Sequence, residues 1–178
     1  MDNLKPTSLR KLKVQARFLL KELQSSSGKS GNAADRFIQI PFFLHKPANW
    51  IQEHADSVQL KHAYQVIAIE SGFETWSALK QQVTEKDCLY KPSCVGFIHS
   101  WFKKYPDAEK YLNKHGGYLL TFWKDFIVCG KEYIDGLGLG QYEEQWKRMG
   151  HNWVKPSDAQ AHQFLKEVAI KNYETRQQ

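Results

Sequence analysis

The chain has 178 residues, 42% of them hydrophobic and 13% aromatic, and carries a net charge of +6. It is long enough to bury a core without disulfide staples, and its three cysteines, Cys88, Cys94 and Cys129, cannot all pair with one another or form a secreted disulfide framework. No run approaches a signal-peptide core or the roughly 20 apolar residues that cross a bilayer, so a soluble protein of a reducing cytoplasm, with no membrane partner, is expected.

The charge is uneven. Lys5, Arg10, Lys11, Lys13, Arg17, Lys21 and Lys29 stand against Asp2 and Glu22, so +5 of the +6 falls in residues 1–31. Thr7 or Ser8 can cap a helix whose apolar positions Leu9, Leu12, Ala16, Leu19 and Leu23 recur three or four apart. That stripe faces a core and turns the lysines outward, either as a solvated face or as a footprint for phosphate or an acidic partner. The polar run 25–32 breaks the helix, and a second short helix is expected over 33–40, ending before Pro41.

From Ser57 onward, Leu60, Ala63, Tyr64, Ile67 and Ala68 form one helical face, with Gly72 placed to end the helix in a left-handed conformation. Thr75 can cap a further helix through Trp76, Leu79 and Val83. The segment 85–94 has no clear period and contains Pro92, so it reads as a linker between an N-terminal helical region, 1–84, and a C-terminal one, 95–178, with a shared core also open.

Beyond it, 95–105 reads as a helix stopped by the Tyr105-Pro106 step, with helix again over 107–115 and a stop at Gly116 and Gly117. Tyr118–Phe122 and Phe126–Cys129 are β-prone runs at hairpin spacing. Helices are expected at 131–137 and 141–149. The last one has Ser157 and Gln160 as a capping box and Ala161, Phe164, Leu165, Val168 and Ala169 as its buried face. The predicted class is mainly α (α+β), with one small hairpin near 118–129.

No motif carries a defined chemistry. Gly28-Lys29-Ser30 resembles the end of a phosphate-binding loop, but Leu23 stands where that loop needs glycine, and a helix precedes it instead of a strand. His115-Gly116-Gly117 resembles an oxyanion-hole loop, yet there is no G-x-S-x-G nucleophile for it to serve. Cys129 with His115 or His99 would make a thiolate–imidazole pair if the thiol were accessible. Cys88, Cys94 and His99 lack the close-pair spacing of zinc ligands, so neither a metal nor a cofactor is predicted.

Three functions follow from these residues. The first is a non-enzymatic binding module for a protein or an acidic ligand, with Trp101, His115, Tyr118, Lys124, Cys129 and Trp153 as candidate contacts. The second is nucleic-acid binding through Arg10, Lys11, Lys13 and Arg17 together with a helix-turn-helix-like pair over 60–83, in which Thr75, Ser77, Lys80 and Gln81 would reach the duplex. The third is a small-molecule enzyme with a pocket around His115 and Cys129, lined also by His99, Trp101, Tyr118 and Lys124.

Two blocks also resemble known sequences. Leu12-Lys13-Val14-Gln15-Ala16, then Val66-Ile67-Ala68, then Gly72-Phe73 through Trp76 to Leu79-Lys80 are similar to an N-terminal helical region of uncharacterised bacterial proteins, some of which carry ankyrin repeats or a glyoxalase-like domain. Trp101-Phe102, the 115–120 and 126–134 runs and 150–156 resemble a second block of unknown function. The resemblance implies a bacterial, cytoplasmic protein. It transfers no activity, because no ankyrin repeat and no glyoxalase metal set stands here.

Overall fold

A computed structural model describes residues 4–25 and 33–177. The Gly28-Lys29-Ser30 triplet, Lys29 of the basic cluster and most of the 25–32 run lie outside these residues. Helix makes up 62% of the structure and strand 10%, so the class is mainly α with a small antiparallel sheet. The chain divides into two compact units, Met1–Val83 and Thr84–Gln178.

In the first unit, α1 (Leu9–Gln24) buries Leu9, Leu12, Ala16, Leu19 and Leu23, the predicted stripe, and the Ser8 hydroxyl accepts the Lys11 N–H at its start. It packs on α4 (Leu60–Glu70), with α2 (Ala33–Ile38) beside both. A further helix that the sequence did not announce, α3 (Ala48–Glu53), follows Pro47 and is joined to the end of α1 by Gln52, whose Nε2 donates to the Leu23 carbonyl at 2.9 Å.

α4 ends as expected. Gly72 stands at φ +84°, its N–H donates to the Ile69 carbonyl, and Phe73 N–H reaches back to Ala68, which together satisfy the last carbonyls of the helix. Thr75 then caps α5 (Trp76–Asp87) through the Ala78 N–H. The buried face of α4 is centred differently from its prediction: His62 and Val66 are buried, while Leu60 and Tyr64 are half-exposed, and Tyr64 stacks on Trp76 at 4.4 Å.

The division between units falls within α5, and residues 85–94 are not a linker. They complete α5 and begin a 3-10 segment, Pro92–Phe97, and they bury Asp87, Cys88, Leu89 and Cys94 in the second unit. The helix predicted over 95–105 is also corrected. Ile98–Phe102 is a strand, β1, and Pro106 lies in the first turn of α6 (Tyr105–His115) instead of stopping a helix before it. Proline there forfeits only an N–H that has no partner inside the helix.

β1 joins the predicted hairpin, β2 (Tyr118–Phe122) and β3 (Asp125–Cys129), in a three-stranded antiparallel sheet of order β1-β3-β2. α6 covers one face, where Ala108 and Leu112 meet Leu119 and Val128. After the sheet come α7 (Lys131–Gly136), α8 (Glu143–Arg148) and α9 (Ala159–Arg176). α7 and α8 each end as α4 does, on Gly138 at φ +74° and Gly150 at φ +70°. The cap of α9 is Asp158 instead of Ser157: its Oδ1 accepts the N–H groups of Gln160 and Ala161. Its buried residues are Ala161, Leu165, Ala169 and Tyr173, and Phe164 faces out.

Candidate binding surface on the second unit

Strand alternation puts Trp101 of β1, Leu120 and Phe122 of β2, and Ile127 of β3 on the sheet face opposite α6. At the open side of that face Trp101 is 44% exposed, which is unusual for the largest apolar side chain. It meets Phe122 edge to face at 5.2 Å, and Phe122 in turn packs on Tyr90 at 4.4 Å. Phe97, just before β1, is exposed as well.

The two-residue turn between β2 and β3, Trp123-Lys124, adds to this surface. Trp123 adopts φ +55°, a conformation that costs a side-chain-bearing residue on the order of 1–2 kcal/mol. A specific anchor offsets that cost: the indole N–H donates to Asp87 Oδ1 at 3.1 Å. The other carboxylate oxygen of Asp87 accepts the Tyr173 hydroxyl at 2.7 Å, and Arg176 donates to the Cys88 carbonyl beside it. Asp87 is buried, and burial holds its carboxyl above the usual aspartate range against the opposing pull of Tyr173, Trp123 and Arg176.

Lysines rim the aromatic surface. The Lys86 ammonium lies 5.7 Å from the centre of the Trp123 ring, Lys124 is exposed at the turn, and Lys103 and Lys104 follow β1 directly. Lys103 binds both oxygens of Asp125, at 2.7 and 2.9 Å. Aromatic faces with ammonium groups around them attract carboxylates at the rim and apolar or planar groups at the centre.

The predicted contact residues are dispersed. Trp101 and Lys124 belong to this surface. Tyr118 does not: it is buried, packs against Trp146, and donates its hydroxyl to Glu143 Oε2 at 2.7 Å. Trp153 is buried between Trp146 and His162, and His115 is exposed at the end of α6 against Tyr111.

Cys129 is fully buried, and its Sγ faces the Tyr118 carbonyl at 3.5 Å. Burial pushes the thiol well above its ordinary pKa, so it is a packing group and not the poised thiolate that a pocket with His115 or His99 requires. Among the described residues no three His, Cys, Asp or Glu side chains gather as a metal site, and no helix is long and apolar enough to cross a membrane.

In the first unit, Arg10, Lys11 and Arg17 are exposed along α1, and Lys13 is half-buried. Arg17 lines a shallow groove with Leu20, Lys21 and Leu60. Thr75 is used as a helix cap, Ser77 and Gln81 are exposed, and Lys80 is half-buried. Tyr90, Phe122, Trp123 and Lys86 were missed by sequence reasoning. The Trp-Lys pair between two β-prone runs was a signal for the turn, but nothing local pointed to Asp87. No protein-family model matches this chain, and comparison with curated proteins and with solved structures gave no match either.

Proposed function

We propose that the chain is a non-enzymatic binding module that holds an acidic protein partner on the Trp101, Phe122, Tyr90 and Trp123 surface of its second unit. The observation that carries this reading is Trp101: a tryptophan left 44% exposed and buttressed by Phe122 has the form of an interface anchor. The lysines around it, Lys86, Lys124 and Lys104, favour carboxylates and would steer such a partner in. A cytoplasmic setting belongs to the same reading, which three unpaired, buried thiols support.

The test is binding of a fluorescent acidic peptide, with oligothymidylate as a second probe, at about 50 mM salt. Peptide binding that weakens with added salt and falls about tenfold or more in Trp101→Ala supports the reading. Tighter binding of the oligonucleotide would move the function to single-stranded nucleic acid, for which stacking aromatics and lysines also suit. Peptide affinity unchanged in Trp101→Ala would remove the surface from consideration.

A further inference from the structure

The two edges of the sheet are treated differently. On the outer side of β2, the Leu119 N–H donates to the His151 carbonyl and the Trp153 N–H donates to the Leu119 carbonyl, both at 2.9 Å, so a short parallel bridge closes that edge. The strand register locates the open groups of β1. The hairpin closes on a Phe122–Asp125 pair across two residues, so β3 turns the backbone of Asp125, Ile127 and Cys129 toward β2 and that of Phe126 and Val128 toward β1. Ser100 and Phe102, opposite Val128 and Phe126, therefore bond to β3, and Trp101 directs its N–H and C=O outward. Among the described residues no backbone segment pairs with that edge.

Resting on the acidic-partner reading above, we infer that the partner binds by strand addition, laying an extended acidic segment along β1. Its backbone would pair with the Trp101 N–H and C=O, its apolar side chains would lie against the exposed indole, and its carboxylates would reach Lys103 and Lys104. The template is short: the pairing register slips between Ile98 and Ser100, which disrupts the ladder on one side and limits the added strand to about four to six residues. Charge selects this occupant over a second copy of the chain. The exposed Lys103 and Lys104 at the end of β1 match an acidic segment, and lysine at a sheet edge is a recognised device against pairing with another copy.

The probe is the peptide acetyl-Glu-Val-Glu-Val-Glu-Val-Glu-amide, compared with the same sequence methylated at every backbone nitrogen, on the full chain. Binding is read by fluorescence anisotropy and by amide hydrogen exchange. The expected result is at least tenfold slower exchange at the Trp101 amide on saturation, no change at the already bonded Leu119 amide, and at least tenfold weaker binding of the methylated peptide. Trp101→Val, which keeps the strand and the N–H, should weaken binding but retain protection at residue 101. Equal affinity for both peptides without protection at Trp101 overturns strand addition and leaves the acidic-partner reading intact. No binding by either overturns that reading itself. Protection of Trp101 without peptide, accompanied by dimer formation, would make a second copy the occupant and sink the inference.

Discussion

The Tyr173 hydroxyl donates to Asp87 Oδ2 at 2.7 Å across 86 positions of sequence, tying the last turn of α9 to the last turn of α5. Trp123 uses the other oxygen of the same carboxylate. Removing the acceptor strands one buried donor and one half-buried donor, so Asp87→Ala is expected to cost about 2–4 kcal/mol, and Asp87→Asn, which keeps one acceptor, less. Urea unfolding of the two variants checks the order.

The same carboxyl sets a pH dependence. Because burial raises the Asp87 pKa in the folded protein, the native state holds this proton more tightly than the unfolded chain does. The contribution of Asp87 is therefore fully present below the ordinary aspartate pKa and is lost as pH rises through the raised native value. Asp87→Asn should flatten that limb in urea midpoints measured from about pH 3 to 6.

Glu143 behaves in the opposite sense. The Tyr118 hydroxyl, and then His151, hold its carboxyl below the usual glutamate range. Its contribution is present above the ordinary glutamate pKa and disappears as pH falls through the lowered native value. Tyr118→Phe should move the Glu143 titration back upward, read from its carboxyl carbon shift by NMR.

Two glycines separate backbone cost from crowding. At Gly72, φ is +84° and an added Cβ would meet nothing within 4 Å, so Gly72→Ala should cost about 1 kcal/mol. At Gly117, φ is +103° and the Cβ would stand 2.7 Å from the Cys129 carbonyl oxygen, fixed in the ladder, so Gly117→Ala should cost about 3 kcal/mol or more. Thermal unfolding of the pair tests the difference.

The thiols should be silent in the native protein. Cys88 is pushed up to about 12 by burial, with Asp87 adding to the effect, and Cys129 is raised by burial alone. Reaction with a disulfide reagent near pH 7 should run about a thousandfold slower than for a free thiol. In denaturant, all three cysteines should react with the reagent.

What could be read in advance depended on how local the deciding contacts are. The stripe of α1, the glycine stop of α4 and the hairpin are set by neighbours within a few residues, and they stand where their spacing put them. β1 could not be read this way. Ile98, Trp101, Phe102 and Tyr105 recur at three and four like a helical face, and only pairing with β3, some 25 to 30 residues later, makes Ile98–Phe102 a strand. Trp101 was named from its residue type, but its exposure follows from β1 being an edge, which no local pattern records. The anchor of Trp123 was equally hidden, since Asp87 stands 36 positions away.

The clasp between Asp87 and Tyr173, with Arg176 on the Cys88 carbonyl, joins the opening and closing turns of the second unit. A pull applied at residues 84 and 177 would load these contacts before any strand bears tension. Mechanical failure would then begin as α9 peels from its far end, and the sheet would rupture only after the latch has opened.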